Sequence, residues 1–271
     1  KSYTMPVDTF TTNVIGTVNT LEAARQSETV KAVIIVTSDK CYKNHEQIIP
    51  YRENDQLGGH DPYSSSKACA ELVTEAYQKS FYIDLGLQLA SVRAGNVIGG
   101  GDWAADRLIP DFFRALDVGE TLQVRSPNAI RPWQHVLEPL SGYLCLAAAL
   151  VQDSHKHGEA YNFGPPANQN YSVRLLIDEM AKYWKQVRWN NVSKSEEHVH
   201  EAVLLKLNCD KALFYLKWEC NLLYSETTQM VSEWYSTFYH SKGDMYDFTL
   251  KQIDDYEQLG LARNRIWSSK I

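Results

Sequence analysis

The sequence predicts an α/β fold built on a doubly wound parallel sheet. Ala32-Val33-Ile34-Ile35-Val36 is apolar and largely β-branched, the texture of a strand buried on both faces. Leu87-Gln88-Leu89-Ala90-Ser91-Val92 is a second such stretch. Helix-period segments precede each of them, and helix, strand, helix, strand in alternation is the pattern of parallel strands joined by crossover helices.

Val7–Gln26 carries Val14, Val18, Leu21 and Ala24 on one helical face, and Pro6 suits its first turn. Cys41–His60, with Pro50 and Gly58-Gly59 and no periodicity, reads as a loop. Asp61-Pro62 is an N-cap and first-turn pair that opens a helix through about Asp84. After Arg93 the texture changes. Ala94–Asp106 holds Gly95, Gly99, Gly100 and Gly101, a long flexible loop beyond a strand end, where ligands sit in open α/β sheets. Leu108–Val118 reads as a helix, Leu122–Val124 as a strand, Ser126–Asn128 as a turn and Leu137–Val151 as an apolar helix. Ala160–Phe163 is a strand closed by Gly164-Pro165-Pro166. Ser172 caps a helix to about Lys185, and Asp210–Leu216, Ser225–Ser241 and Asp247–Leu259 are further helices.

With 271 residues, 44% hydrophobic and 22% charged, the chain suffices for one large domain or two small ones. Its longest apolar run, Leu144–Val151, is too short to span a bilayer. No basic-then-apolar leader opens it, which argues against secretion. A formal charge of −6 argues against a general nucleic-acid binder. The five cysteines are scattered and form no C-x-x-C pair, so they read as reduced thiols of a cytoplasmic protein, without a disulfide framework or a metal site. Helical periodicity begins within about ten residues of Lys1, where a complete gene product would begin with Met, so a fragment is expected.

Chemistry concentrates between Thr37 and Lys67. Tyr63 and Lys67 lie four apart in a helix, hence on one face. An ammonium beside a phenol favours the phenolate and makes Tyr63 a candidate general base. Tyr-x-x-x-Lys recurs by chance among sixteen tyrosines, but here it follows a strand ending in Thr37-Ser38-Asp39-Lys40. A capped strand end with a surface Asp–Lys pair is the plain alternative. Together the two elements supply a donor, an acid and a second base at one sheet edge.

On these motifs the sequence resembles the extended short-chain dehydrogenase/reductases, most closely the CDP-glucose 4,6-dehydratases. The resemblance rests on Asn13-Val14-Ile15-Gly16-Thr17, Thr37-Ser38-Asp39-Lys40, Tyr63-x-x-x-Lys67 and Arg93-Ala94-Gly95-Asn96 running on to Gly99-Gly100-Gly101-Asp102-Trp103. It continues through Asp106-Arg107-Leu108-Ile109-Pro110-Asp111, Arg131-Pro132-Trp133-Gln134-His135-Val136, Tyr161-Asn162-Phe163-Gly164 and His200-Glu201. It implies a partial Rossmann-type sheet (residues 1–98 with 134–165) and a smaller mixed α/β nucleotide-sugar-binding C-terminal domain (99–133 with 166–271). The implied reaction oxidises CDP-D-glucose at C4 with NAD, eliminates water across C5 and C6, and returns the hydride to C6, in deoxysugar and O-antigen synthesis.

The resemblance also implies roles. Tyr63 would deprotonate the 4-hydroxyl, Ser38 would bond the same oxygen, and Lys67 would tune Tyr63 and hold the nicotinamide ribose. Asp39 would protonate the departing 6-hydroxyl. Lys40 stands where the dTDP-glucose dehydratases carry a glutamate base; it would act either as a neutral base or as a cation on the enolate. Asn13 would orient a water and backbone near Lys67. Thr37 and Arg93, at the two strand ends, would join Tyr63 and Lys67 around the cofactor. Asn96, Arg107 with Leu108, and Arg131 match diphosphate contacts, Arg125 a base contact and Glu201 a ribose contact.

No Gly-x-x-Gly-x-x-Gly turn occurs in the sequence, so the pyrophosphate-binding element of the family is missing. The expectation is a chain that keeps its nucleotide-sugar contacts but cannot hold NAD alone. Relatives imply a homodimer through helices 7–26 and 62–84. The alternatives are another nucleotide-sugar dehydratase of the superfamily, an epimerase, which Asp39-Lys40 disfavours, and a non-catalytic nucleotide-sugar-binding fragment, disfavoured by the complete Ser38/Asp39/Tyr63/Lys67 set.

Overall fold

The computed structural model describes residues 2–105, 107–152, 156–184, 187–192, 205–241 and 243–268. They form two compact units. The first is Lys1–Gly95, Pro139–Ala167 and Leu205–Glu219, and the second is Asn96–Glu138, Asn168–Leu204 and Cys220–Ile271.

In the first unit three parallel strands stand in the order Ala32–Val36, Gln88–Ala94, Ala160–Phe163. Ile34 lies opposite Ala90, and Val92 opposite Tyr161. Helix Pro6–Phe10 runs through a π-helical segment, Thr11–Ile15, into Gly16–Arg25. Helix Pro62–Tyr77 continues through a second π segment, Gln78–Tyr82, to Ile83–Leu85. There Gly86 stops it at φ +65°, a left-handed conformation that glycine adopts without a Cβ clash. Its start is as expected: the Asp61 carboxylate accepts from the Tyr63 and Ser64 amides at 2.9 and 3.1 Å, and Pro62 gives up an N–H that would have no partner. Leu21, Ala24, Ile35, Tyr82, Leu87 and Leu89 form the core here, and the Tyr82 hydroxyl donates to the Leu21 carbonyl at 2.6 Å.

One expectation fails in this sheet. Ala32–Val36 is not buried on both faces. It is an outer strand of the three described, with Ile35 buried and Val36 51% exposed. An apolar run reports a strand suited to a sheet interior; which strands flank it is written elsewhere in the chain.

The second unit is built from short pairings that the sequence did not betray. Val97–Ile98 pairs parallel with Gln134–His135, Leu122–Val124 parallel with Trp189–Asn191, and Ile130–Arg131 antiparallel with Tyr171–Ser172. Around them lie helices Leu108–Asp117, Val173–Met180, Tyr224–His240 and Met245–Ala262. Ser172 caps its helix as expected, but the helix ends at Met180, short of Lys185. Phe112, Phe113, Leu176, Ile177, Met180, Val231 and Tyr235 fill the core. Glu138 is buried and accepts from the amides of Asn221 and Leu222 at 3.0 and 2.6 Å and from the Tyr256 hydroxyl at 3.0 Å. It thereby anchors the turn that enters Tyr224–His240. Burial raises its pKa against the pull of those amides.

The unit boundaries also differ from the sequence-based division. Leu205–Glu219 returns to the first unit, where Tyr51 exchanges backbone bonds with Lys206 and Asn208 at 2.8 Å each, and the Trp218 indole donates to Ser141 at 2.9 Å. The Ala94–Asp106 stretch is not a free loop. Beyond strand Val97–Ile98, Gly100 lies so close on the Trp234 ring that a Cβ would stand 2.1 Å from it. Gly100→Ala is therefore expected to destabilise the protein by about 1–3 kcal/mol, measured as a lower denaturant midpoint at unchanged slope; an unshifted midpoint would show that ring and loop part without cost.

Candidate active site

The strand Ala32–Val36 ends at Thr37, and the next residues fold into a short 3₁₀ turn, Asp39–Cys41. Ser38 caps that turn: its hydroxyl accepts from the Lys40 amide at 3.2 Å and donates to the Asp39 carboxylate at 3.0 Å. The turn packs against helix Pro62–Tyr77, with Cys41 beside Ala68 in one apolar cluster. Asp39 and Lys40 are thus set against the helix that carries Tyr63 and Lys67. Asp39 is buried and Lys40 half-buried. The Ser38 hydroxyl makes both of these bonds within its own turn.

Lys67 reaches the end of the strand, where its ammonium donates to the Val36 carbonyl at 3.3 Å. Burial lowers its pKa, and the Glu71 carboxylate one helical turn away opposes that shift. The same helical stripe thus runs Tyr63, Lys67, Glu71. Asn13, in the π segment Thr11–Ile15, donates to the Ser66 hydroxyl at 2.9 Å, and Ser66 donates to the Tyr63 carbonyl at 2.7 Å. Asn13 therefore reaches the Tyr63 backbone through Ser66, one residue from Lys67. A π turn re-aims one side chain out of the helical ladder and is frequent at functional positions.

Glu71 is the residue that sequence reasoning missed. Its carboxylate accepts from Arg93 through Nε at 2.9 Å and Nη2 at 2.8 Å, from the Ser91 hydroxyl at 2.7 Å and from the Thr37 hydroxyl. Arg93 donates onward to the Tyr42 hydroxyl and the Glu53 carbonyl, both at 2.8 Å, and Tyr42 donates to the Asn162 amide oxygen at 2.8 Å. Asn162 closes the chain by donating its backbone N–H to the Glu53 carboxylate at 2.9 Å. The side chains of Thr37 and Arg93 are thus buried and held by Glu71. The available signal was the i+4 spacing from Lys67 to Glu71 on the helix face toward the strands.

The expected nucleotide-sugar residues lie in the second unit. The Asn96 carbonyl accepts from the Gln134 amide at 3.1 Å, three residues beyond Arg131. Arg131 is buried, with Nη1 donating to the Ile130 carbonyl at 2.9 Å. Arg107 precedes helix Leu108–Asp117 and pairs with Asp102 at 3.2 Å. Among the described residues no side chain caps that helix, a start suited to an anion. Arg125 is exposed just after strand Leu122–Val124. Glu201, His200 and Asp106 lie outside the described residues.

A parallel sheet whose strand end meets a Tyr-x-x-x-Lys helix can now be compared with known proteins. A model of the NAD dependent epimerase/dehydratase family matches residues 1–164. The chain belongs to this family. It is 46% identical over 261 residues to CDP-glucose 4,6-dehydratase of Salmonella typhimurium, covering 94% of this chain and 72% of that protein. The dTDP-glucose 4,6-dehydratase of Streptomyces antibioticus is 26% identical over 238 residues, covering 87% and 66%. Among solved structures, dTDP-glucose 4,6-dehydratase from Bacillus anthracis in complex with NAD superposes with a TM-score of 0.70 at 23% identity, over 84% of this chain and 68% of that one. UDP-glucose 4-epimerase from Thermotoga maritima gives 0.71 at 20% identity, over 88% and 73%.

The family is NAD dependent, and the residues present fit one end of that cofactor. Tyr63 and Lys67 stand four apart on a single helical face beside the strand terminus, where Lys67 meets the Val36 carbonyl. A glycine-rich strand-to-helix turn for the pyrophosphate does not occur among the described residues. Five free cysteines and no grouping of three or more potential metal ligands are found among them either. After reductive methylation with ¹³C-formaldehyde, the Lys67 resonance, assigned by its loss in Lys67→Arg, should titrate below those of exposed lysines. Titration together with them would place the amine in open water.

Proposed function

We propose that the chain carries the catalytic corner and the nucleotide-sugar contacts of an NAD-dependent nucleotide-sugar 4,6-dehydratase that converts CDP-D-glucose to CDP-4-keto-6-deoxy-D-glucose in deoxysugar synthesis. The observation that carries this reading is the packing of the Asp39–Cys41 turn on the Tyr63/Lys67 helix, which supplies an acid and a second base beside the general base. The 46% identity to a CDP-glucose 4,6-dehydratase supports the cytidine nucleotide.

NAD, when bound, supplies the acceptor and later donor of hydride. Tyr63, as a phenolate stabilised by the Lys67 ammonium, takes the proton of the sugar 4-hydroxyl as the C4 hydrogen leaves. With C4 a ketone, the C5 proton becomes acidic. Lys40, as a neutral amine, takes the C5 proton while protonated Asp39 gives a proton to the departing 6-hydroxyl; the Lys40 ammonium then faces the enolate and later returns the proton to C5. Water leaves, and C6 receives hydride and C5 a proton. Ser38 holds the Asp39 carboxylate through its 3.0 Å bond, which keeps the acid in place beside Lys40. Arg107, the amides at the start of Leu108–Asp117, Asn96 and Arg131 bind the diphosphate, Arg125 stacks on the base and Glu201 bonds the ribose.

An epimerase reading shares the fold but leaves Asp39 and Lys40 without work. We place the chain in the cytoplasm, where its five free thiols stay reduced. It works as a homodimer through helices 7–26 and 62–84, whose outward residues Val7, Ile15 and Leu72 are exposed apolar side chains.

With CDP-D-glucose and excess NAD, mass spectrometry should show loss of one water from the sugar. Tyr63→Phe should lower kcat by about 10²–10⁴-fold with little change in CDP affinity. Conversion to an isomer of unchanged mass would favour the epimerase, and a fully active Tyr63→Phe would remove the tyrosine from the mechanism.

A further inference from the structure

Trp103 is 43% exposed, yet four aromatic side chains surround it. Its ring lies 4.8 Å from Phe238, 5.6 Å from Tyr235 and 6.2 Å from both Trp234 and Tyr239, centroid to centroid. Three of these partners, Trp234, Tyr235 and Tyr239, belong to the second unit's apolar core or pack against it, so Trp103 ties its loop to that core. The backbone on either side is pinned as well. The Tyr235 hydroxyl donates to the Asp102 carbonyl at 2.8 Å, and Arg114 donates to the carbonyls of Trp103 and Ala104 at 3.1 and 3.2 Å.

What these bonds hold in place is Asp102. One of its carboxylate oxygens accepts from the Ala104 amide at 3.0 Å, and the other accepts from Arg107 at 3.2 Å. Arg107 is the residue before helix Leu108–Asp117, whose opening amides have no side-chain cap among the described residues. An arginine on a flexible stem loses rotamer entropy when it grips a phosphate. A fixed carboxylate that already holds the guanidinium at the helix start reduces that loss.

We infer that Trp103 is a positioning residue: docked on the aromatic face of helix Tyr224–His240, it clamps the Asp102–Ala104 loop so that Arg107 and the open helix start are presented together to a nucleoside diphosphate. The inference rests on the reading above that this end of the helix binds the substrate diphosphate. Phosphate oxygens are the ligand chemistry, so a diphosphate gains more from the clamp than a monophosphate does.

Calorimetric titration with CDP and with CMP tests it on wild type, Trp103→Ala and Trp103→Phe, without NAD or turnover. Trp103→Ala should weaken CDP binding about tenfold, the size of one lost charge-assisted contact, and shrink the preference for CDP over CMP. Trp103→Phe, which keeps a ring against Phe238, should restore most of both. The CDP-induced change in tryptophan fluorescence should be smaller in Trp103→Phe than in wild type. Equal CDP affinity and equal CDP/CMP preference in wild type and Trp103→Ala would overturn the clamp alone. Failure of the wild type to bind CDP would overturn the diphosphate reading and the clamp with it. If Trp103→Ala does not fold, Tyr235→Phe removes only the bond to the Asp102 carbonyl and should weaken CDP about threefold; an unchanged CDP affinity there counts against the clamp.

Discussion

The catalytic corner depends on one buried ion pair, Glu71 with Arg93. Both side chains are only 4% exposed. All four contacts on the carboxylate come from groups on or beside the two neighbouring strands: Thr37, Ser91 and the two Arg93 nitrogens. Arg93 also lies over the Tyr42 ring at 4.9 Å. Taking two charges out of water is costly, and an apolar pair of similar size would often be as stable. What the pair secures is alignment. It ties the Lys67 helix, the Thr37 strand end and strand Gln88–Ala94 in one register, and Tyr42 with Asn162 extends the tie to strand Ala160–Phe163.

That alignment sets the chemistry. Lys67 sits between a strand-end carbonyl and a helix whose next turn carries a carboxylate, so two effects oppose on its proton: burial loosens it and, more weakly, Glu71 tightens it. Asp39 and Lys40 follow Thr37 by two and three residues, so any slip of Thr37 carries them with it. The second unit repeats the device on a smaller scale, with buried Glu138 holding the entry to Tyr224–His240 by two backbone amides and a tyrosine. In both places a helical carboxylate takes the hydrogen bonds that an irregular stretch of backbone, or a strand end, would otherwise lack.

Features written locally were legible in the sequence. Asp61-Pro62 and Ser172 each specify a helix start through a side chain two or three residues from the amides it caps, and the apolar runs specify the strands. Long-range facts were not. Nothing in Ala32–Val36 says that one of its sides faces no described strand. Nothing near Arg93 names Glu71, 22 residues earlier in the chain, as its buried partner. The two-residue strands of the second unit are too short for periodicity to register, and the return of Leu205–Glu219 to the first unit depends on backbone bonds to Tyr51. The Tyr63/Lys67 stripe was legible because helical spacing alone places it; the supports beneath it, Ser66 under Tyr63 and Glu71 beyond Lys67, needed coordinates.

The most direct check on this account is a double-mutant cycle on the ion pair, with Glu71→Gln, Arg93→Met and the two combined compared by equilibrium denaturation. If the pair aligns the corner, each single change should cost about 3–5 kcal/mol, because it leaves the other group buried and unpaired, and the double variant should lose far less than the sum. Additive losses would mean that Glu71 and Arg93 act independently, and the structural basis offered for the Tyr63, Lys67 and Asp39 arrangement would be wrong.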